Sequence, residues 1–291
     1  VLAGQTGIFR TKGRSAEGMA LRTPAGLLIN LGETPKGAYA NKAPTTRMAT
    51  AALVRSAFAK AQSYARKQSE QGKEKPSADL RLDSLVLALQ RKIPVIFSAH
   101  RADDLLTGIR IAREFNLDAR LDLATEAYLI SDELVKDRIP ILLHPPMQRA
   151  GSSMETYHSH LGTARVLADA NVPFAIGTNY EGYVPKTRIL RYEAAMAAVN
   201  GLGQPRALAA VTLGPAKILG IDKNYGSIEP GKVADLVLFD GDCFEHTSHV
   251  THTLMDGRVI FDRADYLALP FTRRALPLTG GGGSGCCLGI W

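Results

Sequence analysis

The chain has 291 residues, of which 45% are hydrophobic, and its formal net charge at pH 7 is +7. A chain of this size and composition can bury one large core and a small second one. No apolar run approaches the ~20 residues that cross a bilayer, so we expect no membrane partner. The lysines and arginines are spread along the sequence and are densest between Arg55 and Lys75, where they predict a solvated helix face and not a nucleic-acid partner.

The cysteine content and the first residues bear on whether the protein is disulfide-rich, binds metal through cysteines or is secreted. Only three cysteines occur, Cys243 and the adjacent pair Cys286 and Cys287, which excludes a disulfide framework and a cysteine metal knuckle. The sequence starts at Val1 without an initiator methionine or a secretory signal pattern, as if within a domain. We therefore expect further sequence upstream and assign no compartment.

The first predicted strand covers the apolar run at residues 25–31. A long helix follows it, with Thr45 or Thr46 as its N-terminal cap. The apolar face of that helix is predicted from residues at helical spacing, namely Met48, Ala52, Leu53, Ala57 and Tyr64. A further helix is predicted at residues 79–90.

Four short apolar runs then recur at regular intervals. They cover residues 92–95, 119–123, 138–141 and 171–174, and three of them carry a proline near their start, where no ladder hydrogen bond is lost. Helical spacing is seen between them at residues 102–115, 126–137 and 153–170. Alternation of strand and helix predicts parallel strands with right-handed crossovers, and thus an α/β fold.

The rest of the chain changes from helices to turns. Helices are predicted at residues 188–200 and 204–212, followed by a short one that Pro215 opens and Gly220 ends. A strand at 234–239 and a hairpin around Asp256 and Gly257 then predict a small β unit. We divide the chain into residues 1–222, an α/β unit, residues 223–266, a β segment, and residues 267–291, a flexible glycine-rich tail.

Candidate site residues follow from the rule that chemistry in parallel α/β folds lies at the carboxyl ends of the strands. His100, Glu126 and His144 each come after a predicted strand and could form a one-metal site or an acid–base group without metal. Each also has a structural explanation: His100 and Glu126 lie where helices start, and His144 lies at the rim. Further polar residues near strand ends are candidates for ligand contact, namely Ser98, Asp122, Tyr180, Glu181 and Lys186.

His158 and His160 have the spacing of a metal-binding pair but lie in a predicted helix. Residues two apart on a helix diverge by ~200°, so the two imidazoles could not chelate one ion there. We predict a structural or surface role for both.

Several motifs in order resemble one known family. Residues 226–237 (GSIEPGKVADLV) and 255–259 (MDGRV) resemble the closing β-sandwich segment of the amidohydrolase superfamily. A further resemblance, to the imidazolonepropionase-like branch of this superfamily, is found at residues 31–33, 44–48, 99–104, 125–128 and 216–220. The resemblance covers nearly everything from residue 25 to residue 263.

What the resemblance implies is a (β/α)₈ TIM-type barrel, partial in this chain, beside a small β-sandwich. Members of the family hold zinc or another divalent metal on a His-x-His pair, two further histidines and an aspartate, and the metal activates water. This chain has no counterpart of the His-x-His pair. Ser98 and Leu123 stand at the two other histidine positions, and Asn179 replaces the aspartate at the end of the last strand, so we predict no metal ligands.

Two functions follow as expectations. If the protein is an enzyme, the resemblance implies hydrolysis of non-peptide C–N bonds in small cyclic amides or imidazolones, with His100, Glu126, His144 and Asn179 as catalytic candidates. The alternative is a non-catalytic barrel that binds a small polar ligand or a partner chain. A barrel without its opening strands exposes sheet edges, so we also expect dependence on the missing N-terminal sequence or homo-oligomerisation.

Overall fold

The computed structural model describes residues 1–38, 42–70, 76–144, 146–147, 154–178, 180–181, 184–185 and 189–270. The strands are β1 (Leu2–Phe9), β2 (Ala20–Asn30), β3 (Val95–Ala99), β4 (Ala119–Leu123), β5 (Ile141–Leu143), β6 (Phe174–Ile176), β7 (Tyr180–Glu181), β8 (Val184–Pro185), β9 (Leu236–Phe239), β10 (Val250–Met255) and β11 (Arg258–Asp262). The helices are α1 (Ala16–Met19), α2 (Glu33–Ala38), α3 (Arg47–Ser69), α4 (Leu80–Leu89), α5 (Ala102–Phe115), α6 (Ser131–Asp137), α7 (Thr163–Asp169), α8 (Leu190–Ala197), α9 (Gln204–Val211), α10 (Leu213–Leu219) and α11 (Arg263–Ala268).

Strands β1 to β6 form one sheet in sequence order. Neighbouring strands from β2 to β6 are parallel, which confirms the predicted α/β alternation and places all their carboxyl ends at one edge. Strand β1, which the sequence analysis missed, pairs antiparallel with β2. The described residues do not close this sheet into a barrel, because β1 and β6 are its two edges.

The links from helix to strand repeat one backbone pattern. Helices α5, α6 and α7 are followed by a residue with positive φ, respectively Asn116 (51°), Arg138 (53°) and Asn171 (57°). The next residue is apolar and buried, and its N–H bonds back to the helix, as in Schellman-type ends. Each predicted proline lies just before its strand and accepts a hydrogen bond through its carbonyl from the neighbouring strand. The missing proline N–H is therefore not needed.

The two faces of the sheet differ in chemistry. Every second side chain of β3, namely Val95, Phe97 and Ala99, is buried on the side of the sheet that faces α5. The packing there is close, because a Cβ on Gly108 of α5 would come within 3.0 Å of the Phe97 ring. The opposite face carries Ser98, in register with Asp122 of β4. The core therefore lies between the sheet and the helices, and the polar residues near the strand ends face away from it.

Helix α3 buries a face that overlaps only in part with the one predicted, since Tyr64 is buried as expected. Thr46 caps it, as expected, by accepting from the N–H of Ala49. Met48 and Leu53, assigned to the apolar face, are 74% and 44% exposed, whereas Phe58 is fully buried. The buried face consists of Thr50, Val54, Phe58, Ala61 and Tyr64. Tertiary packing selected one of two overlapping apolar patterns on the same helix.

Three predicted helix boundaries also need correction. Residues 154–162 form turns and bends, not the first half of a helix, and among the described residues of the predicted span 153–170 only α7 is helical. Within this segment the hydroxyls of Ser159 and Thr163 donate to the carbonyls of Thr156 and His160, which satisfies backbone acceptors without a helix. The span 126–137 is divided into a short 3₁₀ helix and α6. Helix α10 begins before Pro215 but ends at Gly220 as predicted.

Strands β9, β10 and β11 form a separate three-stranded antiparallel sheet. The predicted hairpin is confirmed, with Asp256 and Gly257 both at positive φ in the turn. The guanidinium of Arg10, just after β1, donates to the carboxylates of Asp235 (2.7 Å) and Asp256 (2.8 Å) and so joins this sheet to the first one. The predicted flexible tail at 267–291 begins too early, because residues 267 and 268 belong to α11. Residues 271–291, which hold the rest of that tail with Cys286 and Cys287, lie outside the described residues.

Candidate active site at the strand ends

Ser98 and Asp122 form a hydrogen-bonded pair near the carboxyl ends of β3 and β4. The Ser98 hydroxyl donates to Oδ2 of Asp122 at 2.9 Å. Burial raises the pKa of the Asp122 carboxyl, against the opposing effect of the Ser98 hydrogen bond. The pair gives this part of the sheet a polar, partly desolvated group that can contact a ligand.

The backbone turns sharply at the end of β4. Leu123 and Ala124 have φ angles of 67° and 49°, a left-handed conformation that residues other than glycine rarely adopt. The N–H of Ala124 donates to the carbonyl of Ala99 at 2.8 Å, and the N–H of His144 donates to the carbonyl of Leu123 at 2.7 Å. These bonds hold three strand ends together around this turn.

His100 lies directly after β3 and is held by the residue that follows this turn. Its Nδ1 is 2.7 Å from Oγ1 of Thr125. Burial lowers the pKa of His100 to about 4, so its imidazole is neutral near pH 7. The ring of His144 packs edge-on against it, with 5.1 Å between the two centroids. The structure therefore brings together two of the predicted catalytic candidates, and Thr125 is a contact that sequence reasoning missed.

Glu126, the third candidate, is buried and holds two neighbouring elements. Its Oε2 accepts from the N–H of Ala102 at 2.8 Å, at the start of α5, and its Oε1 is 2.8 Å from Nδ1 of His158. The carboxylate thus positions α5 and the turn segment that contains His158. This agrees with the structural explanation that the sequence also allowed for Glu126.

His158 and His160 lie in the turn segment, not in a helix, so the argument from helical geometry does not apply to them. His158 is 60% exposed and contacts Glu126. The His160 ring packs against Tyr128, with centroids 5.1 Å apart. His160 also lines a small cavity of about 20 Å³ together with His144. No local signal in the sequence indicates that His144 and His160 line the same cavity.

Arg47, the first residue of α3, joins three carboxylates near the same edge of the sheet. It contacts Glu33 and Asp104 at 2.9 Å each and Glu155 at 2.5 Å. Burial raises the pKa of both Asp104 and Glu155, whereas Lys36 lowers that of Glu33. We call these four residues the Arg47 cluster. It ties the turn segment at 154–162 to α3 and α5, and the long sequence separations explain why no motif revealed it.

The remaining predicted residues lie in the segment after β6. Asn179 and Lys186 are outside the described residues. Tyr180 and Glu181 form β7, which pairs antiparallel with β8. Their proposed ligand contacts remain predictions.

The side chains present do not fit the divalent metal that the family resemblance implies. Leu123 offers no ligand atom, and the Ser98 hydroxyl is engaged by Asp122. Within the described part of the chain, no three His, Cys, Asp or Glu side chains are grouped so that they could hold an ion. Nor does any helix there combine the length and apolarity needed to cross a membrane.

Comparisons with known proteins agree on one family. The profile described as the amidohydrolase family matches residues 126–261. The crystal structure of an amidohydrolase from Thermotoga maritima is 35% identical, covers 90% of this chain and 69% of that one, and superimposes with a TM-score of 0.85. The amidohydrolase tasK of Hapsidospora irregularis is 26% identical over 83% of this chain and 26% of its own length. An imidazolonepropionase from Geobacillus kaustophilus is 38% identical over 26% of this chain and 18% of its own length.

The parallel strands, with polar side chains gathered at their carboxyl ends, define an α/β protein of the TIM-like class. The similarity to the Thermotoga protein, which extends over most of both chains, is more specific. The chain belongs to the amidohydrolase family, in its imidazolonepropionase-like branch. It spans about a quarter of the length of two of its curated relatives, the amidohydrolase tasK and a probable imidazolonepropionase from Nematostella vectensis.

Proposed function

We propose that the protein hydrolyses C–N bonds in small cyclic amides or imidazolones, with an active site at the carboxyl ends of β3, β4 and β5. The similarity to the Thermotoga amidohydrolase, at 35% identity over 90% of the chain, is the observation that carries this proposal. The relatives named imidazolonepropionase support the choice of cyclic substrates.

The residues suggest an acid–base site that works without metal. Ser98 and Asp122 would contact the substrate, and the neutral imidazole of His100 would hydrogen-bond its carbonyl or ring nitrogen. His144, whose ring packs against His100, would exchange protons with the substrate. Glu126 would act as a positioning residue, since it holds both α5 and His158. Asn179, Tyr180, Glu181 and Lys186 complete the proposed binding region on the segment after β6.

Elemental analysis and turnover assays test this proposal together. Purified protein would be analysed for zinc and other divalent metals and assayed against hydantoins, imidazolones and dipeptides, with and without a chelator. We expect hydrolysis of a cyclic substrate that a chelator does not abolish. About one zinc per chain and loss of activity with the chelator would contradict the metal-free site, and no turnover on the whole panel would contradict hydrolysis.

A non-catalytic binding protein is the second candidate, favoured by the leucine and serine at two family ligand positions. Under this alternative the same strand ends bind a small polar ligand or a partner chain and catalyse no reaction. Calorimetric binding of a hydantoin or imidazolone, with no turnover by the same preparation, would support this alternative over hydrolysis.

A further inference from the structure

The turn segment at residues 154–162 is held near the strand ends by two side-chain contacts. Glu155 contacts Arg47, and His158 contacts Glu126, whose side chain is buried. The Tyr128 hydroxyl also donates to the carbonyl of His158 at 3.2 Å. These contacts come from different elements, so together they determine both the position and the orientation of the segment.

Fixing the segment brings His160 next to His144 around one cavity. The cavity has a volume of about 20 Å³, which is room for one water molecule. Its polar lining consists of Thr125, His144, Ser159, His160 and Thr163. Since the hydroxyls of Ser159 and Thr163 already donate to backbone carbonyls, their oxygens are left to accept from a water. A water there would have the two to four polar partners that a buried water needs.

We propose that this cavity holds the hydrolytic water and that His160 is the catalytic base which activates it. The inference rests on the proposed function and adds to it a residue and a water site. His160 accepts a proton from the water as the water oxygen bonds to the substrate carbonyl carbon. The C–N bond then breaks, and the proton that His160 took from the water passes through His144 to the departing nitrogen, so that both imidazoles end the cycle neutral, as they began it.

The kinetic test compares three asparagine variants on a cyclic substrate that the wild type hydrolyses. We expect His160→Asn and His144→Asn each to lower kcat by about 100-fold or more, with a much smaller change in KM. His249→Asn is the matched control, because His249 contacts Asp240 beside the small sheet, which is separate from the sheet that carries the candidate site. Its kcat should equal that of the wild type. A His160→Asn variant that melts like the wild type and keeps its kcat would overturn the catalytic role.

A crystal structure tests the water site without any assay. We expect an ordered water within hydrogen-bond distance of both His144 and His160 in the wild type. In an Ala164→Val variant, whose added methyl groups extend into the cavity lining, that water should be lost. No turnover by the wild type would overturn the proposed function and the catalytic role of His160, whereas a dry cavity would overturn the water site even in an active enzyme.

Discussion

Two adjacent residues at the end of β4, Leu123 and Ala124, adopt a backbone conformation that costs about 1 kcal/mol or more for each residue that is not glycine. The cost is offset locally, since the N–H of Ala124 bonds to the carbonyls of Ala99 and Asp122. The turn directs Thr125 toward His100 and Glu126 toward α5. Strain at this point therefore places the polar groups of the candidate site.

His100 should make stability depend on pH. Its pKa is about 4 in the folded chain, while an unfolded histidine titrates near its ordinary value of 6.5. Between these values the unfolded state binds more protons, so this stabilising contribution is complete above pH 6.5 and is lost as the pH falls toward 4. The full loss is about 3 kcal/mol.

Urea unfolding at pH 7 and pH 4 measures this effect as the difference between wild type and a His100→Gln variant. Raised pKa values at Asp104, Asp122 and Glu155 stabilise the fold on acidification, but they do so in both proteins and cancel in the difference. An equal pH dependence in the two proteins would show that His100 is not desolvated.

We expect Arg47 to contribute more to the free energy of unfolding than the exposed Arg55 of the same helix. Arg47→Met removes the guanidinium that contacts Asp104 and Glu155, whose side chains are 5% and 9% exposed. We expect a loss of about 3 kcal/mol in the free energy of unfolding, measured by urea denaturation. Arg55→Met is the control on the same helix, because its pair with Glu114 is exposed, and it should unfold like the wild type. Equal effects of the two substitutions would contradict a special role for the Arg47 cluster.

At the scale of elements, one helix-to-strand link is used repeatedly. A left-handed residue ends the helix, a buried apolar residue follows, and a strand begins within a few residues. The same short link precedes β4, β5 and β6, and each of these strands lies parallel to the strand before it. Local backbone chemistry thus marks where each of these strands begins.

The orientation of α3 can be tested with one substitution on each of two neighbouring turns of that helix. Phe58→Ala removes a fully buried ring that packs against Phe115 at 5.3 Å, and should cost about 3 to 5 kcal/mol. Leu53→Ala, at a position 44% exposed, should change stability by less than about 0.5 kcal/mol. Thermal unfolding of both variants measures the difference. Comparable losses of stability in the two variants would show that Leu53 is buried, as its helical spacing predicts, and would contradict the orientation of α3.

At the scale of the molecule, the described sheet is open at β1 and β6. The small sheet is similarly incomplete, with Val237, Leu238, Val259 and Ile260 about half exposed at 49%, 48%, 56% and 57%. Open strand edges and exposed apolar side chains favour association with another chain or with further segments of the same protein.

We therefore expect the chain of residues 1–291 to self-associate when it is purified alone. Sedimentation velocity across a wide range of protein concentrations should show a mass that rises with concentration. A chain that stays monomeric throughout and melts in one sharp transition would contradict this expectation.

The sequence by itself determined the alternation of strands and helices from β3 to β6, a cap of α3 at Thr45 or Thr46, the Asp256–Gly257 hairpin and the family. These features depend on neighbouring residues or on motifs in a fixed order, which a one-dimensional pattern contains. It also located His100 and His144 at strand ends, because that position depends only on where a strand stops.

Only the tertiary structure decided which side chains meet. The Arg47 cluster joins residues more than one hundred positions apart, such as Arg47 and Glu155, and His144 and His160 line the same cavity although they follow different strands and turns. The buried face of α3 was likewise chosen by the elements packed against it. Contacts of this kind depend on the free energy of the whole fold, since desolvation and ion pairing over long sequence separations leave no local periodicity to read.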